Sequence, residues 1–251
     1  MITKRYHFAQ IDSTNKKAKE MAEDGCPQGA LITASAQSDG VGRRGRSWSS
    51  EEEAGIYMTM VLRPEIEPDQ ASMLTLVTAV SVAKAIEEQL PEECKLYIKW
   101  PNDIVLNKKK VCGILTELSL KNKEIDYVVI GIGINVTNKH FLEEIRETAS
   151  SLLLETGRTI DKEILIHRTW EIFAIYYQQF LHTRNLEFIM SEYEERLVNI
   201  EKTVQVLDPV GEYTGIAKGI TKTGELLVET EADIKQVSSG EVSVRGIYGY
   251  V

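Results

Sequence analysis

Residues 96–135 read LYIKWPNDIVLNKKKVCGILTELSLKNKEIDYVVIGIGIN and hold four strand-like runs with no helical pattern between them. The runs are Leu96–Lys99, Ile104–Leu106, Val111–Leu120 and Glu124–Asn135. Turn-forming residues separate the first runs, with Pro-Asn-Asp at 101–103 and a hairpin tip at 107–110. Strands that follow one another directly pair antiparallel, whereas parallel strands need long crossovers. The stretch therefore predicts an α+β fold with a mixed, largely antiparallel sheet and helices on one side.

Further helices and strands flank this stretch. A helix is predicted after Ser13-Thr14-Asn15, whose side chains can cap free backbone amides, and it should end at Gly25. The other predicted elements are strands at Ala30–Ala36 and Ile56–Leu62 and helices from Pro68 to about Gln89, from Asp161 to about His182, and over Leu186–Leu197. Residues 37–55 match neither pattern, and so long a loop inside a compact domain is more often functional than idle.

The sequence changes character after Asn199. Five short β-rich runs follow, separated by Gly, Asp-Pro and Ser-Ser-Gly turns: Thr203–Leu207, Tyr213–Ile220, Glu225–Glu229, Ile234–Val237 and Val242–Val244. Such spacing is typical of a small all-β unit. We predict a catalytic domain over residues 1–199 and a small C-terminal β-barrel over 200–251.

Composition excludes several classes of protein. The 251 residues carry a net charge of −9, with 43% hydrophobic and 27% charged residues, which indicates a soluble globular protein and weighs against a nucleic-acid coat. Three distant cysteines and four histidines form neither CxxC nor HxxxH, so a disulfide framework or structural zinc site is not expected. No apolar run approaches the roughly 18–20 residues of a membrane span. We expect a cytoplasmic protein with no membrane partner.

The loop Gly40-Val-Gly-Arg-Arg-Gly-Arg46 concentrates glycine and arginine in an acidic protein. It satisfies G-x-G-x-x-G, but the helix that a dinucleotide-binding turn must open is missing, so that interpretation fails. Glycines let backbone amides approach an anion, and guanidinium groups pair with phosphate or carboxylate oxygens. A flexible surface loop remains an alternative. A nucleic-acid arm is another, although Trp48 is nearly the only aromatic residue nearby.

A second basic element follows at Lys99-Trp-Pro-Asn-Asp103 and Lys110. Lys110 begins a strand, where its side chain can turn toward a cleft. Gly113, Gly131 and Gly133 lie inside predicted strands, where glycine weakens a strand unless something approaches its backbone closely. Each glycine alone indicates packing, but together they favour a ligand lying against the sheet.

These elements, taken in series, resemble the biotin–protein ligases. The resemblance rests on the order and spacing of Ser13-Thr14-Asn15, the 40–46 loop ending in Trp48, KWPND at 99–103, KVCGIL at 110–115 and GIGIN at 131–135. It covers about residues 7–155, and the C-terminal barrel also fits. It implies a catalytic fold similar to class II aminoacyl-tRNA synthetases. The usual family loop reads GRGRRGR, whereas Val41 stands at its first arginine here.

The resemblance implies a reaction in two steps. The family activates biotin with ATP to biotinyl-5′-AMP and then transfers biotin to one lysine of a biotin carboxyl carrier protein. A carboxylate is a poor acyl donor, but its mixed anhydride with AMP has a good leaving group. Because the first step brings two anions together, the site needs cations, and Mg²⁺ should assist.

The resemblance also implies roles for individual residues. The catalytic cations would be Arg43, Arg46 and Lys110, with Lys110 bridging the biotin carboxyl group and the α-phosphate. The biotin-binding residues would be Ser13, Thr14, Asn15, Gln37, Gly40, Val41, Gly42, Arg43, Lys110, Gly113 and Gly133. The ATP-binding residues would be Arg46, Trp48, Asn102 and Asn135, with Asp103 a ligand of Mg²⁺. The loop would open for substrates and close over the anhydride to exclude water.

Three other functions compete with this interpretation. Lipoate or octanoate ligation uses the same chemistry, but the polar set of Ser13, Thr14, Asn15 and Gln37 suits a ureido ring better. A biotin-responsive DNA-binding repressor would need a reading head before the ligase-like pattern, which begins within about ten residues of Met1, so we expect no DNA binding. A biotin-binding module without catalysis would not need the cations.

A free strand edge at Tyr127–Asn135 would let two copies pair into a homodimer.

Overall fold

The computed structural model describes residues 1–208, 211–240, 243–246 and 250–251. Its helices are α1 (Thr14–Glu23), α2 (Met73–Glu87), α3 (Leu152–Thr156), α4 (Lys162–Thr183) and α5 (Met190–Arg196). The strands of the larger sheet are β1 (Lys4–Ile11), β2 (Ala30–Gln37), β3 (Gly55–Leu62), β4 (Leu96–Lys99), β5 (Asp103–Leu106), β6 (Lys109–Lys121) and β7 (Glu124–Asn135). None of the described helices has the length and apolarity needed to cross a bilayer.

The larger sheet has seven strands in the order β1-β2-β3-β7-β6-β5-β4. Only β1 and β2 pair in parallel, because α1 connects them as a crossover, and every other neighbour is antiparallel. The consecutive strands β4 to β7 form the antiparallel half that the sequence predicts. The predicted fold class is confirmed.

Strand β7 lies in the interior of this sheet. It pairs with β3 from Gly55↔Asn135 to Leu62↔Val128 and with β6 on its other side. The predicted free edge at Tyr127–Asn135 is therefore wrong, and the homodimer loses the edge on which it was based. The nearly continuous apolar run of β7 is typical of a central strand covered on both faces.

Helices cover both faces of the larger sheet. Helices α2 and α4 pack together over one face, in a core that includes Met58, Met60 and Ile130. On the other face α1 packs Ala18 and Ala22 against β2, β3 and β7. Most of the helical mass thus lies on one side, as predicted, and the α1 crossover adds one helix on the other.

The sequence does not predict β1 or α3, and α5 is shorter than the helix predicted for its region. Strand β1 is an edge strand with no fully buried residue, and its apolar signal is limited to Tyr6, Phe8 and Ile11, which pack against the core from partly exposed positions. Helix α3 has only five residues. The helix predicted over Leu186–Leu197 divides into a 3-10 turn at Glu187–Ile189 and α5.

The C-terminal part forms a second, antiparallel sheet. Its strands are β8 (Thr203–Leu207), β9 (Tyr213–Ile220), β10 (Leu226–Glu229), β11 (Ile234–Val237) and β12 (Ser243–Gly246), in the order β11-β10-β9-β8-β12. The predicted start of the last strand, Val242, lies outside the described residues. Closure into a barrel and the domain boundary at Asn199 stay predictions.

Candidate active site

Two adjoining pockets open beside the carboxyl end of β7 and the loop 38–54. A narrow pocket with a free volume of about 50 Å³ lies over β6 and β7, and a larger cavity of about 430 Å³ lies next to it. The residues common to both are Gly42, Arg43, Trp48, Asn102 and Lys110. Any ligand that extends from one pocket into the other must pass these side chains.

The narrow pocket has a polar wall built by the start of α1. Thr14 donates to Gln37 Oε1 from its backbone amide at 2.7 Å and from its hydroxyl at 3.0 Å. Asn15 Oδ1 accepts a hydrogen bond from the Thr59 hydroxyl at 2.7 Å, and its Nδ2 donates to Glu117 at 2.8 Å. Ser13, Thr14 and Asn15 are all buried. The structure thus places the predicted biotin-binding residues Ser13, Thr14, Asn15 and Gln37 on one wall of the pocket, and hydrogen bonds fix the last three of them.

Glycines in β6 and β7 let side chains lie directly on the sheet. A Cβ atom at Gly131 would be 1.9 Å from Asn15 Oδ1. A Cβ atom at Gly133 would be 2.5 Å from the indole of Trp48, and one at Gly113 would be 2.8 Å from it. As the glycines predict, other groups lie close to the strand backbone at these positions. In this structure those groups are the side chains of Asn15 and Trp48.

Trp48 closes the narrow pocket. Its indole covers Gly113 and Gly133, and among the described residues its buried Nε1 has no hydrogen-bond acceptor. The remaining 50 Å³ is far below the roughly 300–1,000 Å³ of ordinary small-molecule sites. A ligand with a fused ring can therefore enter only if Trp48 moves.

The loop that carries Trp48 is folded back on itself. Trp48 donates its backbone amide to Gly40 O at 2.8 Å, and Gly42 donates to Arg46 O at 2.7 Å. Val41 bridges Ser47 through its backbone and lines the narrow pocket. A Cβ atom at Gly40 would be 2.4 Å from Trp48 O, so glycine permits this close return of the chain.

Arg43 ties the loop to two other parts of the protein. Its guanidinium donates to Asn102 Oδ1 at 3.0 Å, to Gly240 O at 3.2 Å and to Ser239 O. Burial lowers the pKa of Arg43, and Asp103 opposes that shift. The predicted catalytic cation is thus placed at the junction of the two pockets, held there by neutral acceptors.

Asn102 and Asn135 are buried at the wall of the larger cavity. Asn102 donates from Nδ2 to Ile114 O at 2.9 Å, which leaves its Oδ1 for Arg43. Asn135 donates to Ser150 O at 3.0 Å. Both side chains are therefore fixed, and the cavity that they line also holds Arg46 and Trp48.

Lys110 forms an ion pair with Asp103, with 2.6 Å between Nζ and Oδ1. The ammonium also lies 5.3 Å from the centre of the Trp48 ring. Burial opposes the ionisation of Asp103, but Lys110, a hydrogen bond from Tyr250 and Lys99 outweigh it, so its pKa lies below the usual value. Lys110 is thus held by an ionised carboxylate between the two pockets.

The larger cavity is strongly cationic although the whole chain is acidic. Among the described residues, six basic side chains and two carboxylates line it: Arg43, Arg44, Arg46, Lys99, Lys110 and Arg245, with Asp103 and Glu144. Lys99 is only 7% exposed. Burial lowers the pKa of Lys99 to about 8, with Lys110, Arg245 and Arg46 lowering it further against the opposing effect of Asp103. So dense a cluster of positive charge favours a polyanionic ligand.

The surroundings of Asp103 do not fit a resident Mg²⁺ ion. One oxygen pairs with Lys110, and the other accepts a hydrogen bond from the Tyr250 hydroxyl at 2.5 Å. In the described part of the chain, no group of three or more histidine, cysteine, aspartate or glutamate side chains could hold a metal. These side chains form no ready-made magnesium site, and a role for Asp103 toward Mg²⁺ that arrives with substrate phosphates stays a prediction.

Several residues that line the larger cavity are not predicted from the sequence as site residues. Lys99 belongs to the second basic element, but the sequence pattern predicts no role for it at the site. The C-terminal residues Ser243, Val244, Arg245 and Tyr250 lie more than 130 positions after Lys110, so no local sequence pattern links them to the cavity that they line. Residues Phe141 to Ala149 close another side.

Comparison with known proteins gives a consistent result. Residues 7–135 match the Biotin/lipoate A/B protein ligase family, and residues 200–245 match the biotin protein ligase C-terminal domain. The chain belongs to the biotin/lipoate A/B protein ligase family. The predicted family and the prediction of a ligase are confirmed.

Relatives within the family align along nearly the whole chain. The bifunctional ligase/repressor BirA of Bacillus subtilis is 36% identical over 95% of this chain and 73% of its own length. The biotin–[acetyl-CoA-carboxylase] ligase of Paracoccus denitrificans is 31% identical over 95% of this chain and 100% of its own. A biotin protein ligase from Aquifex aeolicus, solved with biotin and ATP, superposes with a TM-score of 0.84 at 30% identity, covering 97% of this chain and 99% of that one.

Proposed function

We propose that this member of the family joins biotin to ATP in the two adjoining pockets and then passes biotin to a lysine of a biotin carboxyl carrier domain. The observation that carries the proposal is the position of Lys110 and Arg43, which line both pockets at their junction. The biotin rings would occupy the narrow pocket, and the nucleotide would occupy the cationic cavity. The carboxylate of one would then meet the α-phosphate of the other beside two cations.

In the first step a biotin carboxylate oxygen attacks the α-phosphorus of ATP. A bond forms between that oxygen and phosphorus, the bond from phosphorus to the bridging oxygen breaks, and pyrophosphate leaves with the electron pair. Lys110 and Arg43 reduce the repulsion between the two anions and stabilise the charge that develops on the phosphoryl oxygens. Mg²⁺ enters with ATP as part of the substrate and neutralises phosphate charge.

The loop would serve this step by moving. Arg43 is held by neutral carbonyl and amide oxygens that a phosphate or carboxylate can replace with a stronger, charge-assisted bond. Trp48 must leave the glycines for the biotin rings to enter, and its unpaired Nε1 then becomes available to a ligand. Closure over the anhydride would keep water away until the acceptor arrives.

In the second step the neutral amine of the acceptor lysine attacks the acyl carbon of biotinyl-5′-AMP. A carbon–nitrogen bond forms, the bond from the acyl carbon to the phosphate oxygen breaks, and AMP leaves while the nitrogen loses a proton to solvent. The phosphate of AMP is a far better leaving group than oxide, which is why the first step is needed. The same cations that assembled the adenylate stabilise the departing AMP.

The narrow pocket favours biotin over lipoate or octanoate. Its wall carries amide and hydroxyl groups that are already fixed by hydrogen bonds, through Thr14, Asn15 and Gln37. A ureido group has two N–H donors and one carbonyl acceptor and can complete such a network. A plain acyl chain has no groups that could add hydrogen bonds to this wall, so it gains none of the binding free energy that such bonds supply.

One experiment tests the proposal. The purified full chain is given ATP, Mg²⁺ and an intact carrier domain, with biotin or lipoate, and the mass of the acceptor is recorded. We expect the gain of one biotinyl group with biotin only, and none on an acceptor whose target lysine is replaced by arginine. Modification by lipoate but not biotin, or release of pyrophosphate without biotin, would contradict the proposal.

The remaining expectations about partners and location stay open to direct tests. We infer a cytoplasmic protein, since Cys26, Cys94 and Cys112 are all free thiols, as in reducing compartments. The expected lack of DNA binding is measured by mobility shift with operator DNA in the presence of biotin and ATP. Analytical ultracentrifugation with and without these ligands measures whether two copies pair.

A further inference from the structure

The C-terminal end of the chain reaches into the nucleotide side of the site. Tyr250 donates its hydroxyl to Asp103 Oδ2 at 2.5 Å across 147 positions of sequence. Its ring lies under the Lys99 ammonium, with 3.5 Å between Nζ and the ring centre. One side chain thus contacts both the carboxylate that holds Lys110 and the most deeply buried cation of the cavity.

These contacts form a chain that ends at the reacting groups. Asp103 is bound through one oxygen to Tyr250 and through the other to Lys110, so its orientation depends on both partners. Lys99 and Asp103 are paired residues at the end of the β4–β5 hairpin, with the turn that contains Asn102 between them. A change at Tyr250 is therefore transmitted to Lys110 through Asp103 and to the cavity through Lys99.

We propose that Tyr250 is a positioning residue for adenylate formation: its hydroxyl orients Asp103 and Lys110, and its ring holds the Lys99 ammonium toward the nucleotide phosphates. This inference rests on the proposed function and deepens it. The two halves of Tyr250 have separate tasks. The hydroxyl acts on the step in which Lys110 stabilises charge, whereas the ring acts on binding of the polyphosphate, because an aromatic face attracts an ammonium group.

Two substitutions separate these tasks. Tyr250→Phe keeps the ring under Lys99 and removes the donor to Asp103, whereas Tyr250→Leu removes both. We expect Phe to lower kcat for biotin-dependent pyrophosphate release about tenfold with little change in KM for ATP, the lower end of the scale for one lost hydrogen bond to a charged group. We expect Leu to lower kcat by a similar factor and to raise KM for ATP about fivefold as well.

The chain offers a matched control. Tyr213 of β9 also lies under a lysine, with 4.2 Å from Lys235 Nζ to its ring centre, but it does not line the cavity. Tyr213→Phe and Tyr213→Leu should leave kcat and KM for ATP unchanged. Transfer of biotin from supplied biotinyl-5′-AMP to the carrier should fall less than adenylate formation in both Tyr250 variants, because transfer requires no bound polyphosphate.

The outcomes distinguish the two claims. If the unaltered protein makes biotinyl-5′-AMP and both Tyr250 variants match it, the positioning role is overturned while the proposed function stands. Equal losses in adenylation and in transfer, with a lower melting temperature, would show a merely structural tyrosine and also overturn it. If the unaltered protein makes no adenylate, the proposed function falls, and the role of Tyr250 falls with it.

Discussion

Replacing Gly131 by alanine should weaken biotin binding by a mechanism that the structure specifies. The new Cβ would be 1.9 Å from Asn15 Oδ1 and 2.7 Å from its Cγ, well inside contact distance. Asn15 is buried and held by Thr59 and Glu117, so it must abandon that position. Two hydrogen bonds at about 0.5–1.5 kcal/mol each amount to about 1–3 kcal/mol.

Biotin would lose the hydrogen bonds that we propose Asn15 gives it, and a loss on the same scale of about 1–3 kcal/mol predicts an increase of about 5- to 150-fold in KM for biotin, since about 1.4 kcal/mol corresponds to a factor of ten. KM for ATP should change little, because Gly131 lines only the narrow pocket. Steady-state pyrophosphate release at varied biotin and varied ATP measures both constants. Gly211→Ala is the matched control, because a Cβ there meets no atom of the described residues within 4 Å. An unchanged KM for biotin, or an equal rise in both constants, would refute the reasoning.

Three further changes test other parts of the site. Lys110→Met should lower kcat for pyrophosphate release by about 30- to 1,000-fold, because about 2–4 kcal/mol of transition-state stabilisation is lost. Lys108 is exposed, so Lys108→Met should leave kcat unchanged. Full activity of the Lys110 variant would exclude a catalytic role for Lys110. Arg43→Gly should release the adenylate and label bystander proteins, and retention of the intermediate in a filter-binding assay would contradict this. Because burial lowers the pKa of Lys99 to about 8, its charge is present below that pH and lost above it. The Kd for ATP measured by calorimetry should therefore rise between pH 7 and 9, and Lys99→Met should remove that rise; a flat profile in the unaltered protein would count against the assignment.

Much of the larger sheet could be predicted because its strands are consecutive and its turns carry their own signals. The β7 prediction matches in both bounds, but its place in the sheet does not follow from its sequence. Its continuous apolar run indicates burial on both faces, yet the identity of the partner strands depends on β3, which lies more than 60 positions earlier. An edge strand such as β1 gives a weaker signal still, because its apolar residues Tyr6, Phe8 and Ile11 are only partly buried and parallel pairing to β2 holds the rest.

The site residues also fall into two groups: those that a local motif predicts and those that depend on contacts between distant parts of the chain. Residues within one short motif, such as Ser13-Thr14-Asn15, were predicted together and lie together, because a helix start places them on one wall. Gly113, Gly131 and Gly133 signalled a close approach correctly, but the sequence could not say that Asn15 and Trp48 would fill the space. The contribution of Tyr250 depends on a contact across 147 positions, for which no local pattern exists.

The position of Trp48 gives this protein an optical reporter of its own. Trp100 and Trp170 are deeply buried, and their ring N–H groups are bound to Gly224 O and Met58 Sδ. Trp48 is the one tryptophan of the three that belongs to the loop. Its indole packs against Gly113 and Gly133 and lies close to the Lys110 ammonium group. Its fluorescence emission should therefore shift when the loop opens or closes. Stopped-flow fluorescence can then measure the rates of opening and closure in the unlabelled protein.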